Sequence, residues 1–160
     1  MIFSVHPLSP GCGAEVQGID PRQPLDTETV SRLHRELGEH CVLLFRDCDI
    51  TPEQHIAFSR NFGPLEAHVI GDFALPGHPE ISVVSNVMEQ GKLKGAVYAG
   101  QYWHSDLSYM KLPSLGSLLR CLEMPQIGGD TMWANLYQAH DTLSAPMKRF
   151  TSKSCQMKLA

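Results

Sequence analysis

Basic charge is in short supply: 13 Lys and Arg stand against 17 Asp and Glu, a formal net charge of −4 with histidines neutral. No stripe of cations is available to track a phosphate backbone, so no nucleic acid partner is expected. Long apolar runs are missing as well. None approaches the roughly 18 to 20 residues of a membrane-spanning helix, and no membrane partner is expected. The start, Met1 to Pro7, has no basic leader followed by a long apolar stretch, which makes the cytoplasm the expected compartment. Cysteine is sparse and odd in number. Cys12, Cys41, Cys48, Cys121 and Cys155 form no C-x-x-C pair, which removes a disulfide scaffold and leaves reduced, mostly packing residues. The motifs G-x-x-x-x-G-K-[ST], G-x-S-x-G and H-E-x-x-H are absent too, so phosphate-loop, serine-hydrolase and zinc-protease chemistries lack support.

What is present suits one ordinary domain: 160 residues, 42% hydrophobic and 19% charged, with no internal repeat and no linker. The stretch Gly13-Ala-Glu-Val-Gln-Gly18 reads as a short edge strand between turns. From Asp26 or Thr27 as N-cap, Val30, Leu33, His34 and Leu37 fall at the i, i+3, i+4, i+7 positions of one helical face, with Gly38 weakening the last turn. Cys41-Val-Leu-Leu-Phe45 is a short apolar run, expected as a central strand buried on both faces. Thr51-Pro-Glu-Gln54 is a capping box with proline at the first helical position, and it predicts a helix from Pro52 to about Asn61. That helix stops at Phe62-Gly-Pro64, where Gly63 can adopt the left-handed cap. Strands are further expected over 81–85, 101–109, 114–123 and 131–134, and a loop over 89–100. Asn135 caps a helix through Leu143, and 144–150 reads as the first turn of another. Residues 151–160 form a polar, divergent tail.

The local signal with chemical content is Trp103-His-Ser-Asp106. On a strand, residues two apart share a face, so His104 and Asp106 point the same way and could share a metal ion. An imidazole and a carboxylate, joined by one further His, make the facial triad of non-haem Fe(II) oxygenases and leave three coordination positions open. H-x-D equally fits a polar strand edge. Trp103 and Trp133 read as core residues before pocket walls, and Gly128-Gly129 as a tight turn that lets Thr131 face inward.

With Gly128-Gly-Asp-Thr-Met-Trp-Ala-Asn135 downstream of that pair, the chain resembles the TauD/TfdA family of Fe(II)- and 2-oxoglutarate-dependent dioxygenases. Gly13-Ala-Glu-Val-Gln-Gly-Ile-Asp20, Val42-Leu-Leu-Phe-Arg-Asp47, Thr51-Pro-Glu-Gln54 and Phe58-Ser-Arg-Asn-Phe-Gly-Pro-Leu65 are similar to the family's N-terminal half, in order, over residues 1 to about 150. The resemblance implies a mainly β fold with flanking helices, a double-stranded β-helix of the jelly-roll or cupin type, here incomplete. It implies His104 and Asp106 as iron ligands and catalytic residues, Thr131 at the 2-oxoglutarate carboxylate, and His68 at the substrate anion. The cofactors would be Fe(II), 2-oxoglutarate as co-substrate, and O2.

Two departures point away from taurine as substrate. Val69, Ile70 and Gly71 follow His68 in place of the family's proline and aromatic, and Gly100 stands four residues before His104, where the taurine enzyme carries Asn. The family's second His ligand and its 2-oxoglutarate-binding Arg lie well beyond residue 150. His140 is the only His after Asp106, on an expected helix that gives it no route to the metal. The expected function is oxidation of a small anionic organic substrate with decarboxylation of 2-oxoglutarate to succinate. The rival is a catalytically silent, truncated member: a pseudoenzyme, interaction module or gene remnant. A cupin-like metal hydrolase is a third option. Unpaired edges of an unfinished barrel predict a homo-oligomer.

Overall fold

A computed structural model describes residues 2–66, 73–97 and 99–157, with side chains as far as 152. In chain order the elements are β1 (Ser4–Pro7), β2 (Ala14–Gln17), α1 (Thr27–His40), β3 (Leu43–Phe45) and α2 (Pro52–Ser59), the last continued by a 3-10 turn at Arg60–Phe62. Two hairpins follow, β4 (Ala74–Leu75) with β5 (His78–Ser82) and β6 (Met88–Glu89) with β7 (Lys92–Leu93), and then helices α3 (Leu136–Asp141) and α4 (Ala145–Met157). The chain divides into two compact units. One holds β1 to β3, α1 from Ser31 onward, and the chain from Leu119; the other holds 20–30 and 47–118.

In the first unit β2 lies between β1, antiparallel, and β3, parallel, with Ala14 opposite Leu43 and Val16 opposite Phe45. This reverses the expected placement, in which β2 was an edge and β3 central. The tight turn from Leu8 to Gly13, closed by the Leu8 N–H on the Gly13 carbonyl at 2.8 Å, brings β1 to one side of β2. The α1 crossover brings β3 to the other, because a parallel pair needs a connection of about a dozen residues or more. Ala14 and Val16 are buried on the inner face, while Glu15 and Gln17 look outward. The expected face of α1 turns inward, with Leu33 fully buried and Val30, His34 and Leu37 half-buried. Burying Leu33 contributes about 2 kcal/mol. Arg32 closes the same core from outside: its guanidinium lies 4.0 Å from the Phe3 ring centroid and donates to the Phe3 carbonyl at 2.8 Å.

The second unit includes the α1 N-cap, where the Asp26 carboxylate accepts from the Thr29 N–H at 2.7 Å. The capping box forms in both directions: the Gln54 N–H donates to the Thr51 hydroxyl at 3.3 Å, and the Gln54 carboxamide oxygen accepts from the Thr51 N–H at 2.8 Å. Phe58 and Ile50 are buried, and Phe58 meets Phe62 edge-on with ring centroids 5.8 Å apart. Gly63 does not take the left-handed cap. It sits at φ 145° and ψ −177°, because Pro64 forces the residue before it into extended geometry, and at this φ only glycine is unstrained.

The remaining strand expectations are met in part. β5 starts three residues before the expected strand, and the β6–β7 hairpin, apart from Met88, falls within the expected loop. Residues 101–109, 114–123 and 131–134 form turns and irregular chain in place of strands, and no closed barrel exists among the described residues. Apolar alternation states only that a segment can pair; a strand also needs a neighbour to accept its backbone hydrogen bonds. The core reading of the tryptophans fails for the same reason, with Trp103 71% and Trp133 56% exposed. No described helix is long and apolar enough to cross a membrane.

Candidate metal centre

His104 and Asp106 come together without a strand. The chain turns immediately after them: Leu107 takes φ 49°, and the Met110 N–H donates to the Leu107 carbonyl at 2.9 Å. His104 Nε2 then faces Asp106 Oδ1 at 3.2 Å. Both side chains are about half exposed, 54% and 52%.

The other atom of each group is already committed. His104 Nδ1 lies 2.7 Å from the Tyr102 carbonyl. A carbonyl can only accept, so Nδ1 carries the proton and Nε2 keeps its lone pair in the neutral ring. Asp106 Oδ2 accepts from the Ser117 hydroxyl at 2.5 Å, which leaves Oδ1 toward the imidazole. Two acceptors facing each other at this distance repel unless a cation stands between them, and that cation is a proton on Nε2 or a metal ion. Donors in adjacent positions on one ion with bonds of ~2.1 Å lie ~3.0 Å apart, so the pair fits a shared divalent metal.

Around the pair, Gly100 turns at φ 79° and would place a Cβ 3.9 Å from His104 Cε1. A Cβ there would make no more than ordinary contact with that ring edge. Tyr102 and Trp103 are exposed. Thr131 belongs to the first unit and follows Gly128 and Gly129 at φ 77° and 73°; it is exposed instead of facing inward, and neither a hydrogen-bonded turn at the two glycines nor the expected strand forms. His68 lies outside the described residues. His140 is exposed on α3, beside Asp141 at 3.6 Å. Among the described residues the one three-donor cluster is Glu36, Glu39 and His40 at the end of α1. There Glu36 is already paired with Arg32 at 3.2 Å and His40 at 3.6 Å.

Sequence reasoning missed Ser117. A signal for it existed: had 101–109 and 114–123 paired as a hairpin with Tyr109 opposite Ser114, Asp106 would stand opposite Ser117. The contact forms although the hairpin does not.

The chain resembles known proteins along nearly its whole length. The family model described as "Taurine catabolism dioxygenase TauD, TfdA family" matches residues 4–156. The chain is 35% identical, over 153 residues, to the alpha-ketoglutarate-dependent 2,4-dichlorophenoxyacetate dioxygenase of Cupriavidus pinatubonensis, covering 89% of this chain and 53% of that protein. It is 29% identical to an alpha-ketoglutarate-dependent sulfate ester dioxygenase of Pseudomonas putida, covering 94% and 48%. A crystal structure of a taurine dioxygenase from Burkholderia xenovorans superposes with a TM-score of 0.76 at 36% identity, covering 92% of this chain and 50% of that one. The chain thus spans about half the length of the relatives it matches, and over that half its structure is similar to that of the taurine dioxygenase. By the match along nearly its whole length, the chain belongs to the TauD/TfdA family of dioxygenases.

Proposed function

We propose that this chain contributes two iron ligands, His104 and Asp106, to a 2-oxoglutarate-dependent dioxygenase that oxidises a small organic anion. The observation that carries the reading is the approach of His104 Nε2 and Asp106 Oδ1 to 3.2 Å, each with its second polar atom held elsewhere. When bound, Fe(II) with 2-oxoglutarate supplies the oxidising chemistry, with decarboxylation of the co-substrate to succinate and O2 as oxidant. The chain's own residues hold and orient. The Tyr102 carbonyl keeps the proton on Nδ1, so Nε2 can donate its lone pair, and Asp106 supplies negative charge beside it. Thr131 is the proposed hydroxyl at the 2-oxoglutarate carboxylate, and His68 the proposed contact to the substrate anion. The relatives' names include a phenoxyacetate and a sulfate ester, which supports an anionic substrate here. The incomplete jelly-roll architecture belongs to the same proposal, as does self-association through exposed apolar residues such as Leu112, Leu115 and Leu122.

A second reading is favoured by a different observation. The pair is half exposed, and no third donor joins it among the described residues. A catalytically silent member of the family would show the same geometry.

Anaerobic titration of Fe(II) and 2-oxoglutarate into the purified chain distinguishes them. A saturable visible charge-transfer band, lost in His104→Ala and in Asp106→Ala, is the expected result. Absence of the band at millimolar metal would leave the silent reading standing.

A further inference from the structure

Between the two candidate ligands, only Asp106 can choose how it binds. An imidazole with Nδ1 protonated has a single lone pair to offer, whereas a carboxylate can present either oxygen, or both, to one ion. The Ser117 hydroxyl removes that choice. It donates to Oδ2 at 2.5 Å, a short charge-assisted bond, and leaves Oδ1 as the oxygen that faces His104 Nε2 at 3.2 Å. We propose that Ser117 is a positioning residue of the metal centre: by occupying Oδ2 it holds Asp106 as a one-oxygen ligand and fixes the angle at which the carboxylate meets the ion.

This rests on the metal reading of His104 and Asp106. Hydrogen bonds to ligating groups of this kind alter metal affinity by roughly 10- to 100-fold when removed. Ser117 is exposed and stands eleven residues from Asp106, so its substitution removes no core packing. Thr and Val have nearly the same shape and differ in the hydroxyl, and comparing them separates the hydrogen bond from the space the side chain fills.

The test uses the whole 160-residue chain titrated with Co(II) under anaerobic conditions, following the visible ligand-field bands. Far-UV circular dichroism of each variant checks that the fold is retained. Ser117→Thr is expected to bind with the wild-type Kd and spectrum. Ser117→Val and Ser117→Ala are expected to bind at least about tenfold more weakly, with altered bands as the carboxylate becomes free to use both oxygens. Equal Kd and equal spectra for Ser117→Thr and Ser117→Val overturn the proposal, as does a Ser117→Thr variant as weak as Ser117→Val. Those results leave the metal reading intact provided that His104→Ala abolishes binding. A wild-type chain that binds no Co(II), or binds it equally after His104→Ala, overturns the metal reading and this inference together.

Discussion

Asn135 joins residues 124 positions apart in sequence: its side-chain amide donates to the Gly11 carbonyl at 2.6 Å, while its carboxamide oxygen caps α3 by accepting from the Gln138 N–H at 3.0 Å. One side chain thus serves as helix cap and as tie between the start of the chain and its last third. Asp could keep the cap but has no N–H for the tie. Asn135→Asp should lose about 1 kcal/mol, and Asn135→Ala, which loses both, about 2 kcal/mol. Urea denaturation of the three proteins measures this; an unchanged Asn135→Asp would show that the tie contributes nothing.

Gly95 is set against backbone. A Cβ built there would lie 2.6 Å from the Val83 carbonyl oxygen and 2.8 Å from the Ser85 nitrogen, next to the Ala96 N–H bond to the same carbonyl at 3.0 Å. Since backbone cannot swing aside as a flexible side chain does, Gly95→Ala should destabilise by about 1–3 kcal/mol. A thermal melt indistinguishable from wild type would contradict the close approach.

The Glu15 carboxylate on β2 is held below its ordinary pKa of 4.5, first by the hydrogen bond from Arg46, at 2.9 Å, and then by that from Gln17. Because the folded pKa is depressed, the stability this group contributes is present above the unfolded value and lost as pH falls through the folded one. The stability difference between wild type and Glu15→Gln should therefore be constant from pH 7 to 5.5 and shrink below about pH 4.5. Melting curves across pH 3–7 test the sign; a difference that grows on acidification would reverse it.

Asp47 is exposed and takes φ 53°, the left-handed region that costs a residue with a Cβ about 1 kcal/mol. Asp47→Gly should raise stability by up to about 1 kcal/mol, whereas Asp47→Val, β-branched, should lower it by a similar amount or more. Chemical denaturation of both variants decides, and equal stabilities would mean that the turn relaxes.

The features legible in the sequence are those whose chemistry is local. Thr51 with Gln54, Asp26 with Thr29, and Asn135 with Gln138 each satisfy helix-end N–H groups within three residues, and all three caps form as read. The inward face of α1 was legible because its period is set by the helix itself. Strand order was not. Whether Val16 or Leu44 sits in the middle of a sheet depends on where the turn and the crossover deliver their neighbours, and no short pattern encodes that. Segment 101–109 carries three aromatic residues and 114–123 four leucines, yet both lack the paired backbone a strand requires. His104 and Asp106 were expected to meet by strand alternation and instead meet in irregular chain just before the turn at Leu107. Ser117 escaped notice because its partner lies eleven residues away across that irregular chain.

The hydrogen bond from Ser117 to Asp106 also closes a loop. His104 and Asp106 are neighbours at almost no cost in chain freedom, but pinning residue 117 to residue 106 confines 107–116, and closing eleven residues costs on the order of 2 kcal/mol of entropy. A hydrogen bond to a carboxylate returns about 1.5–3 kcal/mol, so closure stands near balance. Any cation that stabilises the carboxylate in this orientation tips the balance toward the closed loop. Order in 107–116 is thereby linked to occupancy of the neighbouring donors, and slower hydrogen exchange at the nine amides of that stretch, Pro113 having none, would accompany filling of the site.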